Sequence, residues 1–276
     1  MIFESSPITQ KFEPYIEALF HYKNFHPDHS IERVVPTGHV FVIFELDGME
    51  RHTFDNAKLT PNASFHRVWI CGMHKHYLSI SAHQDSEMLV IQFKPGGAYP
   101  FFHFSISDLN DQIVNTDKLF SGSLITLHEH LSRDSSSSEK FDITHDWLEE
   151  QFDPECEPPE ILLSFVNELQ ATTGAQCKDV IAKYQHSHKH LIEQFKKYVG
   201  HTPKLYQRIL RFNDVLAYLQ NGNKTSWAAI AQHCGYTDQS HFIKEFKNFS
   251  GFNPKRFILE EFDQQEPNFF PLDRKG

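Results

Sequence analysis

Short apolar runs separated by turn residues dominate the first hundred residues of the chain. The run His39–Leu46 is almost unbroken and ends at Asp47-Gly48, a dipeptide typical of a hairpin turn. Residues Tyr77–Ser81 alternate apolar and small polar side chains, as a half-buried strand does. The run Met88–Phe93 is closed by a proline and two glycines. Several short strands with such punctuation predict a small β-barrel or jelly-roll sheet.

After these runs the apolar spacing changes from that of strands to that of helices. Leu109, Ile113 and the segment Leu119–Leu131 predict helix, and a second helical segment contains Trp147. The serine run Ser135–Ser138 between them predicts a loop.

An acidic, proline-rich joint, Asp153–Pro159, is the clearest domain boundary in the sequence. Beyond it the pattern is helical as far as Phe262. The predicted class is α+β, divided into a small β-barrel (1–106), a helical connector suited to dimer contacts (107–158), an all-α domain (159–262) and a polar tail with an apolar patch (263–276).

The helical part contains an internal repeat. A segment of seventeen residues beginning at His190 aligns without gaps on one beginning at His241, and seven positions are identical. Each copy has three apolar residues at i, i+4 and i+7 on one helix face, a glycine that ends the helix, and a proline that starts the next. The corresponding residues are Leu191 and Phe242, Phe195 and Phe246, Tyr198 and Phe249, Gly200 and Gly251, and Pro203 and Pro254.

The residues before the second copy predict a helix, a tight turn and a second helix. Ser226 can cap a short helix that contains Ile230 and Ala231. Gly235 fits the turn, and Thr237 can cap the helix that follows. This is the helix-turn-helix plan, whose second helix enters the major groove of DNA. The polar residues that this helix offers are Asp238, Gln239, Ser240, His241 and Lys244.

Two further features favour DNA as the partner of this part. The pattern predicts one long helix over Pro203–Gln220, which would hold two reading units about one duplex turn apart. Residues 159–262 carry 13 Lys and Arg against 9 Asp and Glu, a net +4, whereas the chain as a whole is −10. The alternative is a helical scaffold for protein contacts, but two copies are few for a repeat array.

The segment Ile161–Phe262 resembles the AraC/XylS family of transcriptional regulators. The residues that carry the resemblance are Ile230-Ala231, Gly235-Tyr236, Asp238-Gln239-Ser240-His241-Phe242, Phe246-Lys247, Gly251-Phe252 and Pro254. The resemblance implies two helix-turn-helix motifs joined by a helix, inserted into successive major grooves, and control of transcription by activation or repression.

By the same resemblance, base contacts fall at Gln239, Ser240 and Lys244 in the second motif, and at His188, Lys189, Ile192 and Glu193 in the first. The full set of predicted DNA-contacting residues is Gln239, Ser240, His241, Lys244, Lys247, His188, Lys189, Glu193, Lys196, Lys204, Arg208 and Lys255. The first motif departs from the family pattern. It has Gln185 where the family has a turn glycine, and Ile181 or Ala182 at the helix-crossing position. Glu193 stands where the family often has arginine.

The amino-terminal part more weakly resembles the cupin-like sensor domains of some of these regulators. The matching segments are Val35–His39, Phe93–Tyr99 and, in the linking helix, Lys204–Phe212. The resemblance implies a small β-barrel that binds an unidentified effector. The stretch Phe101–Phe104 either lines the effector cavity or belongs to the core, and we favour the core.

Nineteen histidines raise the alternative of a metal-dependent cupin-type enzyme or sensor. His74 and His76 would lie on one face of a strand, and His83 follows. A metal-binding cupin has a glutamate soon after such a pair, and Glu87 is too far along the chain. The sequence contains no nucleophile elbow, P-loop or GxGxxG. We therefore predict no metal, no cofactor and no enzymatic activity.

Partners and location follow from the same patterns. The four cysteines form no CxxC, no apolar run reaches the roughly 18 residues of a membrane span, and the first residues lack the basic region of a signal peptide. We expect a cytoplasmic protein with no membrane contact. The expected partners are double-stranded DNA, RNA polymerase, a small-molecule effector and a second copy of the chain.

Overall fold

The chain begins with β-sheets and continues with helices. The computed structural model describes residues 1–116, 122–184, 187–220, 226–259 and 268–274. Antiparallel sheets come first and the helical region follows, so the predicted α+β class is confirmed.

The strands form two antiparallel sheets that face each other across a cavity. In chain order they are β1 (Ile2–Ser6), β2 (Ile16–Phe25), β3 (Ile31–Val34), β4 (Val40–Glu45), β5 (Arg51–Phe54), β6 (Pro61–Phe65), β7 (Val68–Cys71), β8 (Leu78–Ser81), β9 (Ser86–Phe93), β10 (Ile113–Asn115) and β11 (Phe269–Pro271). One sheet has the order β1-β2-β9-β4-β7-β10, and the other has the order β11-β3-β8-β5-β6.

Helices make up most of the chain after β9. Among the described residues they are α1 (Tyr99–Phe102), α2 (Ser123–Leu131), α3 (Ser137–Gln151), α4 (Glu160–Ala171), α5 (Cys177–Ile181), α6 (His188–Val199), α7 (Pro203–Gln220), α8 (Trp227–His233), α9 (Gln239–Ser250) and α10 (Pro254–Leu259). Short 3₁₀ turns lie at Ile106–Leu109 and Pro154–Cys156. In the part of the chain that the structure describes, no helix combines the length and the apolar character needed to cross a membrane.

Strand β4 is buried on both faces, which explains its unbroken apolar sequence. Val42 and Phe44 pack in a core beneath α1, α2 and α3, whereas Phe41 and Ile43 face the cavity between the sheets. The predicted strands at β4, β8 and β9 are confirmed. The hairpin predicted at Asp47-Gly48 is wrong, because β4 pairs with β7 and β9 while β5 joins the other sheet. The dipeptide does form a turn, with Gly48 at φ +73°. However, the strand after the turn, β5, is not the hydrogen-bonded partner of β4.

Two predictions for the segment before α3, one of helix and one of a loop, also need correction. Ile113 lies in β10, where it pairs with Cys71 of β7, so its apolar spacing reflects a strand. The serine run is not simply a loop, because Ser136 and Glu139 form a capping box that starts α3. The helix predicted over Leu119–Leu131 is observed as α2, and residues 117–121 lie outside the described part of the chain.

Phenylalanine packing holds the helical part together around α7. The two predicted apolar faces of the repeat are buried in one core cluster with Phe212 of α7. Phe212 lies 5.5 Å from Phe246 and 5.2 Å from Phe249, measured between ring centroids. Phe195 of the first copy packs at 5.6 Å on Tyr206 of the same helix. The long helix therefore carries both repeat units on one continuous apolar surface.

The predicted polar tail is wrong for residues 268–274. Strand β11 pairs antiparallel with β3, and Phe270 is only 2% exposed. Its ring packs on Phe257 at 4.9 Å and on Phe252 at 6.1 Å. The apolar pair that the sequence shows as a patch therefore joins the sheet and the helical core.

Arginine 33 of β3 makes a second contact between the two parts. Its guanidinium lies between the rings of Tyr77 and Phe252, at 4.2 and 4.5 Å from their centroids. Arg33 Nη1 also donates to the carbonyl oxygen of Ser250 at 3.2 Å. Asn213 of α7 adds a hydrogen bond to the carbonyl oxygen of Pro36 at 3.2 Å. These contacts place the end of α9 against the β part.

The turn glycine of the second motif has a left-handed backbone and a close neighbour, and this yields a stability prediction. Gly235 has φ +72°, and an added Cβ would lie 2.5 Å from the Cα of Gly174. We expect Gly235→Ala to lower the free energy of unfolding of the helical part by about 3 kcal/mol, through backbone strain and overlap together. The measurement is urea unfolding followed by circular dichroism.

Gly48→Ala is the matched control. Gly48 has φ +73° with nothing within 4 Å of an added Cβ. Gly48→Ala should therefore lower the free energy of unfolding by about 1 kcal/mol, through backbone strain alone. Equal losses for the two variants would contradict the assigned approach of Gly174.

Candidate nucleic-acid interface and ligand cavity

The second motif has the predicted helix, turn and helix, with defined caps. Ser226 Oγ accepts a hydrogen bond from the backbone N–H of Ala229 at 3.2 Å and starts α8. Asp238, not Thr237, caps α9, because its carboxylate accepts from the N–H of His241 at 2.8 Å. A carboxylate at this position also interacts favourably with the positive end of the helix. Ala231 is buried at the crossing of the two helices, as predicted.

Helix α9 presents a polar face to solvent and an apolar face to the core. Phe242, Phe246 and Phe249 are buried. The predicted DNA-contacting residues on this helix, Gln239, Ser240, His241, Lys244 and Lys247, are all exposed. The polar face is therefore accessible to a partner, as a recognition helix requires.

The first motif consists of α5 and α6. Ile181 is buried while Ala182 is exposed, so Ile181 occupies the packed position in this motif. The turn residue Gln185 lies outside the described residues. The predicted contact residues of α6, His188, Lys189, Glu193 and Lys196, are exposed, and Ile192 is half-buried. Lys189 Nζ lies 3.9 Å from Glu193 Oε1, a weak pair across one helical turn.

Two lysines at helix starts complete an exposed basic set. Lys204 near the start of α7 and Lys255 near the start of α10 are exposed. Each follows a proline preceded by a capping residue: Thr202 Oγ1 accepts from Leu205 N–H, and Asn253 Oδ1 accepts from Lys255 N–H.

Arg208 has an internal partner that the sequence did not predict. Its Nε donates to Oε2 of Glu245 at 2.6 Å, and its guanidinium lies 5.3 Å from the ring of Phe249. Glu245 is buried on α9. The pair therefore ties α7 to α9, and the phosphate contact predicted for Arg208 stays a prediction. The signal in the sequence was helical spacing, because Glu245 lies three residues after Phe242 and four before Phe249, on the buried face of α9.

A cavity of about 710 Å³ lies between the two sheets. Its walls are mostly aromatic and aliphatic, and Leu210, Asn213 and Leu216 of α7 with Phe269 of β11 close one side. Phe101 and Phe102 do not line it. They are buried in the core beneath the other face of the sheet, so the favoured interpretation of that stretch holds for both.

One region of the cavity wall is polar and buried. Glu45 accepts from Trp69 Nε1 at 2.9 Å and from Arg51 Nε at 2.9 Å, and Arg51 also pairs with Asp47. Burial raises the pKa of Glu45 to about 7, although Arg51 and Trp69 oppose that shift. Sequence reasoning missed this cluster, because single charged residues at strand ends look like solvated positions. The available signal was a glutamate that closes an apolar run.

The histidines proposed for a metal-binding cupin are not arranged as predicted. His74 and His76 lie in the loop between β7 and β8 rather than on a strand. Burial lowers the pKa of His74 to about 4, and His76 is exposed.

Elsewhere in the described part of the chain, His103, Asp153 and Cys156 bring ligand-type atoms within 4.8 Å of one another. Their contacts serve local structure. Asp153 caps a 3₁₀ turn and accepts from Cys156 Sγ, and His103 is hydrogen-bonded to the Pro100 carbonyl oxygen.

Two family models match the chain. Residues 7–115 match a family described as a domain of unknown function, DUF6597, and residues 181–259 match a helix-turn-helix domain family. No curated protein matches the chain in sequence.

The solved structures that resemble the chain include several of ToxT from Vibrio cholerae. An apo ToxT variant is 11% identical with a TM-score of 0.45, covering 88% of this chain and 96% of that chain. ToxT bound to (E)-4-(8-methylnaphthalen-1-yl)but-3-enoic acid is also 11% identical at 0.45, covering 93% and 98%. ToxT bound to an unsaturated fatty acid is 10% identical at 0.42, covering 87% and 94%. Similarity of this degree carries no ligand and no residue role from ToxT to this chain.

The exposed face of α9 predicts a specific mutational effect. We expect Lys244→Ala to weaken binding to a duplex, selected by the wild-type protein from random sequence, by roughly 10-fold or more, because a charged contact is lost. Thermal unfolding should stay within about 0.5 kcal/mol of wild type, since Lys244 is exposed. Fluorescence anisotropy measures the affinity.

Lys58→Ala serves as the control, because Lys58 is also an exposed lysine but lies in the β part. If both variants bind the duplex as tightly as wild type, α9 is not the recognition helix.

Proposed function

Since this chain belongs to the AraC/XylS family of helix-turn-helix regulators, we propose that it controls transcription in response to a small molecule held between its β-sheets. The observation that carries the proposal is the polar, exposed face of α9, mounted on a buried row of phenylalanines. Gln239 and Ser240 at the start of that helix read base edges, and Lys244 and Lys247 contact bases or phosphates further along.

The first motif binds the neighbouring major groove. Helices α6 and α9 pack on the same long helix α7, which holds them in a fixed relation. His188, Lys189 and Lys196 contact phosphates or bases, and Glu193 accepts a hydrogen bond from a cytosine amino group. The exposed Lys204 and Lys255 add phosphate contacts near the helix starts.

The cavity is coupled to DNA binding through α7. Leu210 and Leu216 of this helix line the cavity, and Arg208, two residues before Leu210, is paired with Glu245 of α9. A ligand that changes the position of α7 therefore also changes the position of α9. This is the physical basis for a two-state regulator, in which the ligand favours the state it contacts better.

We place the remaining functions with the other parts of the chain. The β part (1–106) is the sensor, the connector (107–158) with α2 and α3 supplies contacts to a second copy, and 159–262 is the DNA-binding domain. RNA polymerase is a further partner at the bound promoter, and the site of action is the cytoplasm, where bacterial DNA lies. We assign no catalysis, metal or cofactor, because the charged groups of the cavity are paired with one another as structural groups are.

Selection from random duplex DNA tests the proposal and should recover two half-sites on one face of the helix. Their centres should lie about 10 base pairs apart, because two recognition helices fixed on α7 enter successive major grooves. Recovery of a single half-site would show that the divergent first motif does not read bases.

The affinity for the selected duplex should fall steeply with salt. Phosphate contacts by several lysines release bound counterions, so a slope of log K against log[salt] of about −4 or steeper is expected. A preference that persists without salt dependence, or no selected sequence at all, would overturn the DNA-binding proposal. A scrambled duplex of the same length is the control.

A further inference from the structure

The polar region of the cavity contains donors that are not used within the protein. Arg51 and Glu45 are each 1% exposed and line the cavity together with Ser86 and His83. Arg51 directs Nε to Glu45 and Nη2 to Asp47 and Ser86, but its buried Nη1 has no hydrogen-bond partner among the described residues. A buried guanidinium N–H without an acceptor is costly, so it favours a ligand that supplies one.

A second unsatisfied group belongs to the lining of the same cavity. The buried Nε2 of His83 also has no partner among the described residues. Ser86 Oγ is hydrogen-bonded to both residues. It accepts from Arg51 Nη2 at 3.3 Å and donates to the backbone carbonyl oxygen of His83 at 2.8 Å. Burial, followed by the nearby charge of Arg51, lowers the pKa of His83, so its imidazole is neutral at pH 7.

The positive charge of Arg51 is already paired within the protein. The one positive charge of Arg51 faces two carboxylates, Glu45 and Asp47. A carboxylate ligand would add a third negative group next to a buried glutamate, whereas an ammonium ligand would face the Arg51 guanidinium. Both charged heads would also lose their hydration in the cavity.

The rest of the cavity suits an apolar body. Phe41, Trp69, Met88 and Val90 form the wall on one sheet, and Ile80 contributes from the other. A volume of about 710 Å³ lies within the usual range for small-molecule sites, and the space extends to α7.

We infer that the cavity binds an uncharged, mainly apolar molecule whose one oxygen-bearing head group, a hydroxyl or a primary amide, lies between Arg51 Nη1 and His83 Nε2. The head oxygen accepts from Arg51 Nη1–H. The neutral imidazole of His83 completes the site as a donor or an acceptor, according to its tautomer. The inference deepens the proposed function, on which it rests for any effect on DNA.

A series of probes with one tail and different heads tests the inference. Dodecanol and dodecanamide, each below its solubility limit, and dodecanoate and dodecylammonium, each below its critical micelle concentration, are titrated against the full chain by calorimetry at pH 7.5. We expect dodecanol and dodecanamide to bind at least about 10-fold more tightly than both charged probes. Tightest binding of dodecanoate or dodecylammonium, or binding of none of the four, overturns the inference.

Two variants locate the head group. His83→Leu should reduce the preference of the cavity for dodecanamide over dodecanoate by several-fold, and His76→Leu, a change at an exposed histidine outside the cavity lining, should not. Arg51→Met alone would strand Glu45, so the double variant Glu45→Gln, Arg51→Met is used, with its folding verified by circular dichroism. The double variant should lose the preference for dodecanol and dodecanamide over the two charged probes. An unchanged preference in both His83→Leu and the double variant places the head elsewhere and overturns the inference.

The DNA readout separates the inference from the proposed function. If the uncharged probes bind and shift the affinity for the selected duplex, the inferred ligand class and the proposed regulatory function are both supported. If they bind without altering DNA affinity, the ligand class stands and the regulatory coupling fails. If the protein selects a duplex but binds none of the probes, the proposed DNA-binding function is supported and the inferred ligand class is wrong.

Discussion

The burial of one helix, α7, is the constraint on which the rest of the structure depends. Tyr206, Ile209 and Phe212 are completely buried, and each contributes a few kcal/mol that no surface contact could replace. The helix packs against the first repeat copy, the second repeat copy and the β part at the same time. The close approach of Tyr206 to Gly38, where an added Cβ would lie 3.2 Å from the ring, shows how little space separates the helix from the β part. A change at any one of these contacts is therefore transmitted to the others, because a packed core is not continuously deformable.

The local sequence pattern was sufficient to predict most of the helical half of the fold. The spacing Phe242, Phe246 and Phe249 predicted the buried face of α9, and the capping and turn residues predicted its start to within one residue. The exposed set around Lys244 followed from the same pattern, since the polar positions of an amphipathic helix are the ones left in solvent. These features depend on residues near one another in sequence, so a single sequence contains the information.

The parts that were missed depend on contacts between separate strands. The pairing of β11 with β3 joins residues more than two hundred positions apart, and no local spacing marks it. Glu45, Arg51 and Trp69 are closer in sequence but lie on three different strands, β4, β5 and β7. A partner makes burial of a charge tolerable, and the pattern of each strand alone does not show the partner. The hairpin predicted at Asp47-Gly48 was wrong for a related reason. Tertiary packing, not the turn sequence, determines that β5 joins a different sheet from β4.

The position of β11 has a consequence for the order in which the molecule is assembled during synthesis. Strand β3 leaves the ribosome early, but its outer edge lacks a neighbour until residues 269–271 have been made. An uncovered edge strand is a template for pairing with other chains, so the nascent sensor depends on the completed DNA-binding helices to close its sheet. The β part therefore completes its folding only when the helical part has also been synthesised. A chain interrupted after α9 would expose the unpaired edge of β3, in addition to lacking the end of the helical part.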